Sequence, residues 1–251
     1  MASVIEVEGL AAEYDSVRVL EDVTFEVREG EILAIVGISG CGKTTLLRYL
    51  IGLLRPRRGI VRLWGQDITA MEEDELDCFR ARFGVSFQAS ALFNSITAAE
   101  NVALPMRERA VDKELIPTLV RMKLSLVGLA DAGDKMPADL SGGMRKRVAI
   151  ARALALDPEL VFFDEPTAGL DPVTAAGLDQ LILRLRDLLG ITVVAVTHSL
   201  DSIRTVADRV LLLAGGTVRF FGPLAAVAGS GDPEVIRFFR AGAAAPRPVH
   251  P

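Results

Sequence analysis

Gly37-Ile38-Ser39-Gly40-Cys41-Gly42-Lys43-Thr44 fits the pattern G-x-x-x-x-G-K-[ST], and Thr45 continues it into the helical run TTLLRYLIGLL. The chemistry is anion binding: glycines let backbone N–H groups turn inward on a phosphate, and the start of a helix adds its positive end. Lys43 then reaches the β and γ phosphates of a nucleotide, and Thr44 offers its hydroxyl to Mg²⁺. Cys41 reads as a small residue that fits the loop. A second chemical pair, Asp164 and Glu165, ends the apolar run LVFFDE at 160–165. An apolar strand of a parallel sheet delivers such acids to its C-terminal edge, where a phosphate loop also sits. Asp164 is placed there to hold Mg²⁺, directly or through water, and Glu165 to polarise an attacking water. Either acid alone is an ordinary solvated strand end; the pairing with the loop carries the reading.

The elements that must position these residues are legible as short apolar runs bounded by glycine and polar residues. VIEVEGL, VTFEV and EILAIVG come early; ELVFFDE, ITVVAVTH, RVLLLAGG and TVRFFG come late. Such runs suit strands buried on both faces of a largely parallel sheet. From about Met71 to Ala155, by contrast, EEDELDCFRARF, ELIPTLVRMKLSLVGL and GGMRKRVAIARALAL show apolar positions at helical spacing, which predicts a helical insertion in an α/β core.

Composition narrows the setting. The chain has 251 residues, half of them apolar, and a mean hydropathy of +0.35. Its longest charge-free stretch, Phe83 to Ala99, is broken by Gln88, Ser90, Asn94 and Thr97, so nothing approaches the roughly 20 apolar residues of a membrane span. The apolar content is expected in a core or a docking face. Twenty-eight basic against 33 acidic residues give a net charge of −5, without the basic stripe that nucleic-acid binding needs. Cys41 and Cys78 cannot build a disulfide framework, and MASVIEVEGL lacks the regions of a signal peptide. A cytosolic chain is expected.

A further segment selects among the families that share the phosphate loop. No lysine has an aspartate two positions later, which removes the guanine-reading Asn/Thr-Lys-x-Asp pattern. Leu140-Ser141-Gly142-Gly143-Met144 opens the helix RKRVAIARALAL. With these residues the chain resembles the ATP-binding-cassette (ABC) family, from about Ile5 to Phe239. LSGGM is similar to the family's LSGGQ signature, with Met144 in place of Gln. Gln88 follows FGVSF where the Q-loop lies, Ala168-Gly169-Leu170-Asp171 resembles the D-loop, His198 resembles the switch histidine, and Tyr14 the aromatic that stacks on adenine. The resemblance implies an α/β fold: an ABC-type P-loop NTPase with a RecA-like, mostly parallel core, an N-terminal antiparallel β region and an inserted α-helical subdomain. It places the ATPase domain at 1–240, the insertion at about 90–155, and an Ala/Pro-rich tail, read as disordered, at 241–251. It also implies ATP and Mg²⁺, with Thr44, Gln88 and Asp164 toward the metal and Glu165, His198 and Gln88 in catalysis.

Ser141, Gly142 and Gly143 at a helix start form a second anion-binding surface. If one nucleotide uses both surfaces, the simplest symmetric solution is a head-to-tail homodimer in which one chain's signature caps ATP on the other's phosphate loop. The resemblance implies that arrangement, together with two integral permease subunits for the two ATPases and a peripheral place on the cytoplasmic side of the inner membrane. The stretch ASALFNSITAAENVALPMRE suits a groove for a permease helix, with Ala91, Leu92, Phe93 and Leu104 as candidates. Together with MPADLSGGM and DPELVFFDEPTAGLDPVTA, that stretch is similar to the ATPases of the lipid-asymmetry (Mla) and MCE-associated transporters, which adds phospholipid cargo and an MCE-type lipid-binding partner. An ATPase of another importer or exporter, or a non-transport regulator of a membrane division complex, stays open. Phe238 and Phe239 are candidates for reaching the neighbouring ATPase.

Overall fold

The structure, a computed structural model, describes residues 2–14 and 17–241; the predicted tail therefore lies outside the described residues except for Ala241. Two sheets carry the fold. β1 (Ser3–Tyr14), β2 (Val17–Arg28), β4 (Arg58–Leu63) and β5 (Gln66–Asp67) form an antiparallel sheet in the order β2-β1-β4-β5. β4, from the run RGIVRL, was not among the expected strands. β3 (Ile32–Val36), β6 (Phe83–Ser86), β7 (Leu160–Asp164), β8 (Thr192–Val196), β9 (Arg209–Ala214) and β10 (Thr217–Pro223) form the second sheet, ordered β10-β9-β3-β8-β7-β6. All its pairs are parallel except β9 with β10. This is the mostly parallel core with an antiparallel N-terminal region that the sequence implied.

The near-continuous apolar strands are explained by their two buried faces. Every residue of β3, β7 and β8 is buried. Along β7, Leu160 and Phe162 enter the core beneath the antiparallel sheet, while Val161 and Phe163 enter the core beneath the inserted helices. β8 divides the same way, Val194 and Val196 against Val193 and Ala195. That is the period-2 alternation of a strand whose two faces are both covered, each fully buried Phe contributing about 1.5–3 kcal/mol.

The helices are α1 (Lys43–Leu50), α2 (Glu73–Arg80), α3 (Ala98–Glu108), α4 (Ile116–Leu126), α5 (Gly142–Ala153), α6 (Pro172–Leu189), α7 (Leu200–Val206) and α8 (Pro233–Ala241). β6, the expected strand FGVSF ahead of Gln88, lies between α2 and α3 and forms one edge of the large sheet. α3, α4 and α5 pack on one another over Val102, Met106, Val120, Leu124, Val148 and Ile150. α3 begins with a capping box, Glu100 N–H on Thr97 Oγ1 at 3.2 Å and Thr97 N–H on Glu100 Oε2 at 2.8 Å. Met122 does not join that core; its side chain is on the outer face of α4, 58% exposed.

Candidate active site

β3, β7 and β8 are neighbours, so the loops after them emerge at one edge of the sheet. The ladder continues past the strand ends: Thr197 N–H donates to Ile35 O at 3.1 Å and Glu165 N–H to Val196 O at 2.8 Å. Those bonds bring the phosphate loop, the acidic pair and His198 together. An open cleft of about 590 Å³ is lined by Gly37, Ile38, Ser39, Gly40, Gly42, Lys43, Thr44, Thr45, Gln88, Glu165 and His198, with Val19 and Phe238 at its margin.

The loop is shaped to receive anions. Gly37 has φ 150°, and a Cβ there would lie 2.3 Å from Leu213 O and 2.6 Å from Cys41 Sγ, so only glycine fits. Gly42 caps α1 without a side-chain hydrogen bond, and no acid occupies the first turn, leaving that turn's N–H groups and the helix dipole for a negative ligand. Lys43 is buried and its Nζ donates to Gly37 O at 2.8 Å and Ile38 O at 3.0 Å. Cys41 is also buried, packs inward, and has its thiol pushed up by burial, with Lys43 opposing.

Asp164 sits at the end of β7, 5% exposed, and its Oδ1 is buried without a hydrogen-bond partner. Burial first, and the Glu165 charge second, raise its carboxyl above the ordinary range; Arg48, Lys146 and Lys43 oppose. Such an orphaned oxygen suits a hard cation. Among the described residues no cluster of three His, Cys, Asp or Glu side chains surrounds it. Glu165 adopts φ 47°, uncommon for a residue with a Cβ, and its Oε1 lies 2.6 Å from His198 Nδ1.

The signature stands apart from the cleft lining. Ser141 caps α5, accepting from Met144 N–H at 3.2 Å. Gly143 abuts α6 so closely that a Cβ would meet Thr174 Cγ2 at 2.6 Å, and Leu170 lies beside Gly142. Met144 packs partly into the core of the inserted helices. Asp171 caps α6, accepting from Val173 and Thr174 N–H at 3.1 and 3.0 Å, and these bonds, with Thr174's side chain first, lower its carboxyl. Tyr14 closes β1, pairing with Val17; its side chain lies outside the described part of the structure. Phe238 and Phe239 meet edge to face at 5.2 Å and pack against the chain's own core around β9, Phe238 also opening onto the phosphate-loop cleft.

Sequence patterning did not mark two basic anchors, Lys146 buried and Arg152 half-buried, or one buried acid, Asp179. Lys146 and Arg152 of α5 bind carbonyls of the Gln88 loop, and burial lowers the pKa of both, Glu165 and Asp164 opposing at Lys146. Asp179 of α6 is buried beside Ser202, whose hydroxyl lies 3.2 Å from Thr167 Oγ1. A basic residue in RKR, or an acid on an amphipathic helix, gives no sequence signal of burial.

Comparisons with known proteins agree with this geometry. Residues 20–168 match the ABC transporter family. The chain is 44% identical over 239 residues to a probable ribonucleotide transport ATP-binding protein, mkl, of Mycobacterium leprae (strain TN), covering 95% of this chain and 69% of that one. It is 40% identical over 221 residues to the intermembrane phospholipid transport system ATP-binding protein MlaF of Escherichia coli (strain K12), covering 88% and 82%. It is 43% identical over 222 residues to the methionine import ATP-binding protein MetN of Corynebacterium diphtheriae (strain ATCC 700971 / NCTC 13129 / Biotype gravis), covering 87% and 65%. Among solved structures, the ATP-binding cassette MJ0796, a dimer bound to ADP and Pi in a post-hydrolysis state, is similar at TM-score 0.81 and 32% identity over 88% of this chain and 98% of that one. CbiO1 of Clostridium perfringens is similar at TM-score 0.85 and 29% identity, covering 97% and 98%. Phosphate loop, acidic strand end, histidine and signature thus occupy the fold of ATP-hydrolysing cassettes, and this chain belongs to the ABC transporter family as one of its ATPases.

Proposed function

We propose that this ATPase is the motor of a complex that moves phospholipids or other hydrophobic molecules between the inner and outer membranes. Two copies work with two integral permease subunits and an MCE-type lipid-binding protein, on the cytoplasmic side of the inner membrane. Among the described residues no helix is long and apolar enough to cross a membrane, which fits a chain that reaches the bilayer through partners. The observation that carries the docking is a groove of about 400 Å³ beside the Gln88 loop, where Phe83, Phe87, Phe93, Leu104, Pro105 and Leu156 form an apolar floor. Phe93 is 54% exposed there, as suits a site for a partner's amphipathic helix. Identity to MlaF favours lipid as cargo.

In the hydrolytic step Glu165 polarises the attacking water, His198 holds the Glu165 carboxylate and faces the γ-phosphate, and Lys43 exchanges its loop carbonyls for phosphate oxygens. Thr44, Gln88 and Asp164 would hold Mg²⁺, whose chemistry is to neutralise charge on the β- and γ-phosphates. Ser141, Gly142, Gly143 and Met144 of the second copy close the site in an ATP-dependent homodimer, and Tyr14 stacks on adenine.

A second reading, uptake of a polar solute, is favoured by the 43% identity to MetN. The test is to purify the chain with its native membrane partners and identify co-purifying molecules by mass spectrometry. Phospholipid enriched over bulk membrane is expected; a polar solute with no lipid enrichment would replace the first reading by the second. Phe93→Glu is expected to abolish co-purification of the permease, and an undiminished yield would remove the groove as its dock.

A further inference from the structure

Glu165, Ser90 and Ala91 share an uncommon backbone. Their φ angles of 47°, 63° and 46° lie in the left-handed region, which strains residues with a Cβ and persists only where the surroundings impose it. The carbonyls of all three are held by cations from one helix. Arg152 donates from Nη1 to Ala91 O at 2.7 Å and from Nη2 to Ser90 O at 2.9 Å. Lys146 donates to Glu165 O at 3.0 Å and also to Gln88 O. Both cations belong to α5, the helix that Ser141 caps.

Lys146 is the unusual member. It is 7% exposed, and a buried ammonium is costly unless it is hydrogen-bonded and near opposite charge. Its partners come from two remote segments, one carbonyl from the loop after β6 and one from the residue after β7, with the Asp164 and Glu165 charges nearby. One side chain therefore joins three parts of the machinery: the signature helix, the Gln88 loop and the peptide of Glu165.

We propose that Lys146 is a positioning residue that ties the setting of Glu165 to the position of the Gln88 loop. The inference rests on the reading in which Glu165 polarises the attacking water. A displacement of Gln88 removes one acceptor from a buried ammonium, and an unsatisfied buried charge drives rearrangement of whatever else it holds. What it also holds is the Glu165 peptide. Because Phe87, Phe93 and Arg152 line the proposed docking groove, a partner seated there acts on the loop, and through Lys146 on the carboxylate.

The experiment is steady-state ATP hydrolysis by the full chain as wild type, Lys146→Met, Lys146→Gln, Lys146→Arg, Arg152→Met and the Lys146→Met/Arg152→Met double variant, with thermal melts in parallel. Lys146→Met is expected to lower kcat at least tenfold per folded molecule while KM for ATP stays within twofold. Lys146→Arg, which can reach both carbonyls, restores most of kcat. In the double variant the kcat losses are less than multiplicative, because both cations hold one loop. Should Lys146→Met fail to fold, Lys146→Gln carries the test with an intermediate loss in kcat alone. A folded Lys146→Met or Lys146→Gln with kcat within twofold of wild type, or a loss expressed in KM, overturns the tether. Glu165→Gln separates the two layers: hydrolysis surviving there overturns the role of Glu165 and the tether with it, whereas loss there beside full activity in Lys146→Met overturns the tether alone.

Discussion

His198 Nδ1 and Glu165 Oε1 meet at 2.6 Å across 33 positions of sequence. Parallel pairing of β7 with β8 sets Asp164 opposite Val196, so each residue leaves the sheet at the same height. The Glu165 side chain is 11% exposed and the His198 ring 66%, which makes the imidazole the outer member of the pair. With Nδ1 committed to the carboxylate, Nε2 is the ring atom left for another partner, and the pair presents a fixed orientation to the cleft.

Replacing Glu165 with Gln should leave ATP binding intact, accumulate an ATP-bound dimer and reduce turnover by about a hundredfold or more, the usual range for a lost general base. Phosphate release and size-exclusion chromatography with ATP read the two effects. His198→Ala should slow turnover as well, and the double variant should be no slower than Glu165→Gln, since the two side chains act as one unit. Brisk hydrolysis in Glu165→Gln would take the water-polarising role away from this residue.

Lys43→Ala removes the buried ammonium that now rests on Gly37 O and Ile38 O. A charge-assisted hydrogen bond contributes about 1.5–3 kcal/mol, so ATP affinity should fall about tenfold or more. Calorimetric titration checks it, and unchanged affinity would sink the phosphate-loop assignment.

Ser141→Ala deletes the cap of α5 and should cost about 1 kcal/mol of stability, read in a denaturant melt. If the signature also closes a partner's site, hydrolysis should fall by much more than that stability loss explains. ATP-dependent dimer formation, measured by light scattering, should weaken in parallel; full activity with normal dimerisation would confine Ser141 to capping.

Asp179 provides a pH signature. Burial first, with Asp201 adding, raises its carboxyl above the ordinary value against the Ser202 hydrogen bond. A raised folded-state pKa means that the stabilising proton is fully held at acid pH and lost as pH rises through the raised value. Above that window the ionised carboxylate is a cost, which Asp179→Asn removes while keeping a partner for Ser202. The variant should melt about 2–4 °C higher at neutral pH, with the gain shrinking as pH falls into the carboxylate range. A gain independent of pH would show that ionisation of Asp179 is not the cause.

Local pattern carried far because several constraints are local. The loop from Gly37 to Thr44 needs glycines and a helix start at fixed spacing, and the strands ILAIV, LVFFD and TVVAV need apolar residues on both faces; both demands are written in neighbouring residues. β4 escaped because RGIVRL mixes an exposed Arg58 and a half-buried Arg62 with only two buried residues, Val61 and Leu63, which the antiparallel sheet turns into the core. Phe238 and Phe239 of α8 pack partly buried against the core around β9, a contact between segments too far apart in sequence for local pattern to show.

The sequence by itself determined the phosphate loop, the acidic strand end, the signature cap and the order in which they occur, because each depends on residue types a few positions apart. Only the tertiary structure decided which of these meet. Strand order places β3, β8 and β7 side by side, so Glu165 and His198 touch, while the signature of the same chain stands away from the cleft. It also decided that Lys146 is a buried anchor and that Arg152, half-buried, is held to loop carbonyls and is not a free surface charge, for both depend on what packs over a helix face from distant segments, here the Gln88 loop and the end of β7.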